Sequence, residues 1–520
     1  MLVFAELNTR WEISMANTLA QVWTRAELGL ESPVVTVEVH ISNGLPGLTL
    51  VGLPESAVRE SKDRVRSAML SSSADYPTRR VTVNLAPADL PKTGGRYDLP
   101  IAIGLLAASG QVPLAKLANY EWVGELGLDG ALRAVSGVLP IAMAARGSGR
   151  CLVVPLEQLA VCAVVPGLDV VGAAHLLDVI AYLNGEGRLV APDGHTVSID
   201  AVPQPDLAEV RGQAVGKRAL EIAAAGGHSL LFVGPPGSGK SMLASRLAGL
   251  LPPLSESDRL ESAAIHSLAG MPVEPILAGQ VPFQSPHHSS SSVALVGGGS
   301  KPRPGAISLS SKGILFLDEL PEFDRRTLEM LREPLESGEV RIARAAYQAT
   351  YPARFQLIAA MNPSPSGFFS DDPKCQSTPE QTARYLAKIS GPLLDRIDLQ
   401  VELPAVEVSA LQNAPDGEST ETVAARVLQA RDFARSRGKL NSELTPNELD
   451  TYAKPDAAGA KLLAQAMQKM GLSARSYHRI LRVGRSIADL AASEQVQATH
   501  LAEALSLRML ERRMNKLGLG

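Results

Sequence analysis

Gly234-Pro-Pro-Gly-Ser-Gly239-Lys240-Ser241 is the stretch from which the rest of the chain can be read. It matches G-x-x-x-x-G-K-[ST], a loop whose glycines let successive backbone N–H groups curl around phosphate oxygens. Lys240 is placed to reach the β and γ oxygens, and Ser241 to offer its hydroxyl to Mg²⁺. The expected nucleotide site is therefore Gly234, Pro235, Pro236, Gly237, Ser238, Gly239, Lys240, Ser241 and Met242. A glycine-rich turn is the plain alternative, and context opposes it. The apolar run His228-Ser-Leu-Leu-Leu-Phe-Val233 reads as a buried strand, and Met242-Leu-Ala-Ser-Arg-Leu-Ala continues as a helix.

Two further apolar runs end in polar groups. Gly313-Ile-Leu-Phe-Leu-Asp318-Glu319 reads as a strand closing on two carboxylates. Alternation along a strand end points them in different directions, Asp318 toward the metal and Glu319 toward an attacking water. Alone, such a run is common. Leu357-Ile-Ala-Ala-Met-Asn362 ends in an amide able to orient that water, with a strand-terminating Asn-Pro turn as the alternative. Three strand ends of this kind fit the rule that parallel sheets bind ligands at their carboxyl ends.

At 520 residues the chain needs two or three cores. Apolar residues make up 45%, charged residues 20% and aromatics 4%, so aliphatic side chains must fill the interior. A net charge of −4 excludes a uniformly basic coat for nucleic acid but leaves room for a few basic loops. Cys151, Cys162 and Cys375 are too widely spaced for a disulfide framework, and no apolar run reaches membrane-spanning length. The expectation is a cytoplasmic protein without membrane contact. Residues 1–14 stand apart, either as an appended strand or as a start upstream of Met15.

The organisation expected is α/β throughout. Residues 15–183 alternate short β-branched runs, such as those at 33–40 and 80–85, with Gly and Pro punctuation, and 56–71 carries apolar residues at helical spacing. Residues 184–205 read as a linker, 206–405 as the nucleotide-binding core, and 406–520 as a linker followed by a helical C-terminal domain.

The three motifs together resemble the AAA+ superfamily, and the wider text resembles the magnesium-chelatase-like ComM/YifB family. Five stretches carry the likeness. They are Gly44-Leu-Pro-Gly-Leu-Thr-Leu-Val-Gly-Leu-Pro54, Asn84-Leu-Ala-Pro-Ala-Asp-Leu-Pro-Lys92, Asp206-Leu-Ala-Glu-Val-Arg-Gly-Gln213, Ser285-Pro-His-His288 and Gly391-Pro-Leu-Leu-Asp-Arg-Ile-Asp398. The resemblance implies a central AAA+ αβα parallel sheet, a C-terminal helical lid, use of ATP with Mg²⁺ held at Ser241 and Asp318, and a homo-hexamer. It makes Arg396 an arginine finger offered to the neighbouring subunit and Arg475 the sensor-2 arginine, with Arg479 the other choice. Surface salt bridges are the competing reading, and Asp395 and Asp398 flank Arg396. The resemblance also marks a helix-2 insert at about 282–312 and a hairpin before the third strand at about 338–354. In related motors such loops face a central pore, so Lys301, Arg303, Arg341 and Arg344 become candidates for DNA phosphates, against ordinary solvated charges. His287 and His288 lack a spaced third metal ligand and read as part of a polar loop.

Residues 15–183 resemble the α+β fold of Lon-type protease domains, shared with domain 2 of ribosomal protein S5 and with the RadA recombination protein. The protease serine and lysine are replaced here by Arg96, in Pro91-Lys92-Thr-Gly-Gly-Arg96, and by Leu139, so no proteolysis is expected. Lys92 and Arg96 could help bind DNA or form a structural ion pair. Where relatives carry four cysteines, this chain has Ser364, Ser366, Cys375 and Ser377, which predicts no structural zinc and a loop held by packing and hydrogen bonds.

Four functions compete. The resemblance favours an ATP-driven DNA helicase or branch-migration motor. It would act on single-stranded or branched DNA during natural transformation, with recombination proteins as possible partners. A chelatase-like metal-insertion ATPase is the alternative, counted against because such ATPases are expected to lack the N-terminal domain. A protease lacks its dyad, and a nucleotide-switched scaffold would not need Glu319.

Overall fold

The computed structural model describes residues 19–193, 204–299, 302–344, 347–405, 417–470 and 472–508. The extension at 1–14 and Lys301 fall outside them, as do residues 194–203 of the 184–205 linker. By internal contact the chain divides into two units. One is the N-terminal stretch to residue 200 with Arg259–Ala278 and Ala343–Thr350; the other holds the remainder.

In the first unit, strands β1 (Leu19–Arg25), β2 (Val34–Ser42), β3 (Gly47–Val51), β4 (Arg80–Ala86), β5 (Tyr120–Trp122), β6 (Cys151–Pro155) and β7 (Val170–Ala173) form one mixed sheet, ordered β3-β4-β2-β1-β5-β6-β7. The alternation seen in the sequence is the cause. Val35, Val37, Val39 and Ile41 of β2 face one way and are buried, while Glu38 and His40 face the other. The helical spacing at 56–71 becomes a short turn, Ser56–Arg59, followed by helix α1 (Ser61–Ser71). Helix α2 (Asp98–Ala108) is buried on every face, so no amphipathic period announces it. It lies so close to the sheet that a Cβ on Gly104 would sit 2.5 Å from a Val39 methyl. Helix α3 (Val138–Ala145) follows a turn in which Gly137 N–H donates to the Ser267 carbonyl at 3.0 Å.

The second unit is built on five parallel strands: β8 (Leu230–Val233), β9 (Phe283–Gln284), β10 (Ile314–Leu317), β13 (Gln356–Met361) and β14 (Leu399–Glu402). Between β10 and β13, the strands β11 (Glu339–Arg344) and β12 (Tyr347–Pro352) pair in a separate two-stranded sheet. The five-stranded order is β9-β10-β13-β8-β14, with Leu317 opposite Ala359 and Val233 opposite Met361. Strands β8 and β10 are apolar along their whole length, as β13 is after Gln356, because helices cover both faces. Helix α4 (Ala214–Gly226) precedes β8, and α5 (Lys240–Leu250) follows it. Strand β9 opens the stretch read as an insertion, which therefore begins inside the central sheet. Its distal part is a short helix, Ser292–Val296, and a ladder of Gly297–Gly298 with Arg303–Pro304.

After α6 (Glu256–Ala269) and α7 (Arg332–Ser337), the C-terminal helices are α8 (Thr420–Ser436), α9 (Pro446–Tyr452), α10 (Ala457–Met470), α11 (Ala474–Leu490) and α12 (Ala498–Ser506). Val427, Leu444, Ile480 and Ile487 join Leu220, Phe232 and Leu399 in one continuous core, so the lid is cemented to the sheet by burial. Among the described residues no helix is long and apolar enough to cross a membrane.

Candidate active site

The strand order sets the site. β13 lies between β8 and β10, so the phosphate loop, the Asp318-Glu319 pair and Asn362 emerge side by side at the carboxyl end of the sheet. Gly234 takes up the turn because a Cβ there would meet the Leu403 carbonyl at 2.5 Å. Gly239 has φ +85°, a left-handed value that glycine adopts without strain, and hands the chain to α5. The Lys240 ammonium donates to the carbonyls of Gly234 (2.8 Å) and Pro235 (3.0 Å) and to Asn362 Oδ1 (3.1 Å). Burial lowers its pKa, and the nearby Asp318 and Glu319 carboxylates partly offset that.

Ser241 Oγ donates to Asp318 Oδ2 at 2.5 Å. A hydroxyl and a carboxylate converging at the foot of a phosphate loop are the donor set a Mg²⁺–nucleotide complex uses, so the residues fit that ion. Glu319, with φ +52°, holds a left-handed conformation that is strained for a side chain of its kind. Its carboxylate lies 3.2 Å from His288 Nδ1. His288 stacks on His287 with ring centroids 4.1 Å apart, and no metal-ligating cluster of three exists among the described residues. No local pattern announces that His288 meets Glu319, because the contact depends on β9 lying beside β10. Burial raises the Tyr385 phenol above its usual range, and the Glu322 and Glu319 charges add to the effect.

Arg396 lies just before β14, at the opposite end of the sheet from this loop. The Ser229 hydroxyl donates to its carbonyl at 2.9 Å. Its guanidinium is bonded to Glu336, a partner unread in the sequence, and not to Asp395 or Asp398. Asp398 accepts from Ser229 N–H and Oγ, each at 3.2 Å. Burial alone would raise its carboxyl. The His228 ring, then Arg479 and Arg508, overcome this and hold it well below the usual range. Arg479 thus sits 3.6 Å from Asp398, committed away from its own chain's phosphate loop. Arg475, one turn earlier on α11, is exposed.

Of the DNA candidates, Arg303 and Arg341 are exposed; Arg344 belongs to β11, and its side chain lies outside the described set. In the N-terminal unit Arg96 is buried, paired with Glu27, and donates to the Ser136 carbonyl at 3.1 Å. Lys92 is fully buried, with the Pro87 carbonyl as its partner. Arg96 thus has the ion pair, Lys92 has a backbone carbonyl in place of one, and both are buried. Ser364, Ser366, Cys375 and Ser377 do converge. Ser366 Oγ is 3.0 Å from Ser364 Oγ and 3.5 Å from the Cys375 sulfur, and Ser377 Oγ accepts from Ser366 N–H at 2.9 Å.

A five-stranded parallel sheet with a phosphate loop, an Asp-Glu strand end and a third strand running into Asn362 defines a nucleotide-binding core of the AAA+ type. A family model described as magnesium chelatase, subunit ChlI, matches residues 206–411, and its C-terminal counterpart matches 417–508. The chain is 51% identical to the uncharacterized protein YifB of Salmonella typhimurium, covering 95% of this chain and 98% of that protein. It is 49% identical to the competence protein ComM of Haemophilus influenzae, covering 96% and 99%. It belongs to the ComM/YifB family. A more distant likeness, 23% identity over 54% of this chain and 31% of the other, links it to the DNA replication licensing factor MCM4 of Oryza sativa. A model described as subunit ChlI of Mg-chelatase also matches residues 37–158. The N-terminal unit therefore does not by itself separate this chain from chelatase-type ATPases, contrary to the expectation above.

Proposed function

We propose that this chain is a ring-forming ATPase that moves DNA, acting in the cytoplasm during integration of incoming strands. The observation that carries the ATPase part is the convergence of Lys240, Ser241, Asp318, Glu319 and Asn362 at adjacent strand ends. Lys240 binds the β- and γ-phosphates, exchanging its three internal acceptors for phosphate oxygens. Ser241 and Asp318 would hold Mg²⁺, which when bound would supply charge neutralisation to the phosphates. Glu319 takes the proton from the attacking water, and Asn362 orients that water. Arg396, at the far end of its own sheet, serves the nucleotide of an adjacent copy, and the exposed Arg475 is the proposed sensor-2 arginine. A residue shared in this way requires a head-to-tail interface between copies, and a closed homo-hexameric ring is the form proposed for it.

The DNA part rests on the competence relative and on the replication-factor likeness. Arg303 and Arg341, with Lys301 and Arg344, would meet phosphates without reading sequence. Steady-state ATP hydrolysis with and without forked or four-way DNA, followed by strand displacement, tests it. Stimulation by DNA, with strands migrating only on hydrolysable ATP, supports the motor; turnover indifferent to every DNA offered refutes it.

The chelatase-model matches favour one second reading, an ATPase that drives metal insertion into a macrocycle. It predicts stimulation by a metal-chelating partner protein and none by DNA.

A further inference from the structure

We propose that Glu336 is a positioning residue that holds Arg396 back from the adjacent subunit's nucleotide until the β11–β12 hairpin engages its ligand. This rests on the reading of Arg396 as a finger acting between subunits. The ligand it invokes is a phosphodiester backbone, met by cations such as Arg341, which is 67% exposed on β11.

The Arg396 guanidinium is committed within its own chain. Nη2 donates to Glu336 Oε1, and Nη1 donates to the Pro392 carbonyl at 2.6 Å. Its side chain is only 11% exposed. With Nη1 and Nη2 each bonded to an acceptor of its own chain, the fork is held in place there and is not presented to a neighbouring γ-phosphate. The resting position is also incomplete, because Arg396 Nε is buried without a hydrogen-bond partner. A buried unmet donor favours leaving this position once a better acceptor is offered. The Glu336 carboxylate is 63% exposed, so water and salt screen the pair and make it readily reversible.

Glu336 is coupled to the hairpin by the turn that ends α7. Ser337 Oγ donates to the Glu339 carbonyl at 3.0 Å and accepts from Glu339 N–H at 3.2 Å, tying the helix end to the first strand. The Gly338 carbonyl accepts from Ala353 N–H at 2.8 Å, tying the same turn to the returning strand. A Cβ on Gly338 would lie 3.0 Å from Arg354 Cγ, so the turn also packs closely against the side chain that follows that strand. A hairpin displaced by its ligand therefore carries Glu336 with it and frees Arg396. The device couples the loop that contacts DNA to the arginine that completes the next subunit's site.

The full chain with Glu336→Ala, Glu336→Gln, Arg396→Ala and Glu336→Ala/Arg396→Ala is assayed for ATP hydrolysis with and without forked DNA, with thermal midpoints recorded. Expected is a rise in DNA-free turnover of about fivefold or more for Glu336→Ala, within the ordinary range of coupling between sites. Glu336→Gln should fall between it and the parent, DNA-saturated turnover should stay within about twofold, and the double variant should match Arg396→Ala. Glu336→Ala turnover equal to the parent in both conditions, or lowered in both at an unchanged midpoint, overturns the inference. So does an equal rise in the Arg396→Ala background. If Arg396→Ala alone keeps full turnover, the finger reading itself fails, an outcome distinguishable from the others.

Discussion

Ser241 and Asp318, 77 residues apart in the chain, meet through a 2.5 Å hydrogen bond at the carboxyl end of the sheet. The bond ties the two groups together, so they are expected to act as one unit. Ser241→Ala and Asp318→Asn should each lower ATP hydrolysis by about 100-fold, and the double change should be little worse than the poorer single one. Steady-state turnover across a Mg²⁺ titration checks this. Fully multiplicative losses would show that the two groups act independently.

Glu319→Gln keeps the shape of the site and removes the proposed base. It should retain nucleotide affinity within a few-fold while turnover falls by about 100-fold or more. Fluorescent-nucleotide binding beside single-turnover hydrolysis separates the two quantities. Near-normal hydrolysis would remove Glu319 from its assigned role.

Arg396→Ala should assemble and bind ATP, yet lose about 1,000-fold in turnover, the scale of an arginine finger. Lys240→Ala should fail at its own phosphate loop while still offering a finger. Mixed rings should therefore recover activity, because some interfaces pair an intact loop with an intact arginine. No recovery at any mixing ratio would place Arg396 outside the interface.

Arg341→Ala should weaken DNA binding alike for all sequences and reduce the slope of log affinity against log salt by about one. DNA-free turnover should be untouched. Binding isotherms at several salt concentrations read both quantities, and an unchanged slope would exclude a phosphate contact.

Asp398 gives a pH dependence of stability. Its folded carboxyl titrates below the unfolded value, so its contribution is complete above the ordinary carboxylate pKa and disappears as pH falls toward the folded one. Asp398→Asn should flatten the fall in unfolding free energy below about pH 4 by up to about 1.4 kcal/mol per pH unit. Denaturant unfolding at a series of acid pH values checks it. Identical slopes for the two proteins would show that Asp398 carries no such linkage.

The sequence alone made the class of the central domain legible. Lys240, Asp318 and Asn362 each follow an apolar strand-length run, and that local grammar needs no knowledge of the fold. Alternation exposed β2 and β4 for the same reason, since one residue faces the core and the next faces water. Helix α2 stayed hidden because burial on all sides erases the period that would reveal it. The short strand β9, read as part of an insertion, has only two residues to show.

Only the tertiary structure decided who meets whom. Strand order put Asn362 beside Lys240 and brought His288 to Glu319; hydropathy fixes that a strand exists but not which strand lies next to it. Sequence proximity offered Asp395 and Asp398 to Arg396, yet the fold gave it Glu336, 60 residues away. Ion pairs form where packing brings side chains within a few ångströms, and packing is a property of the whole core that no local pattern encodes.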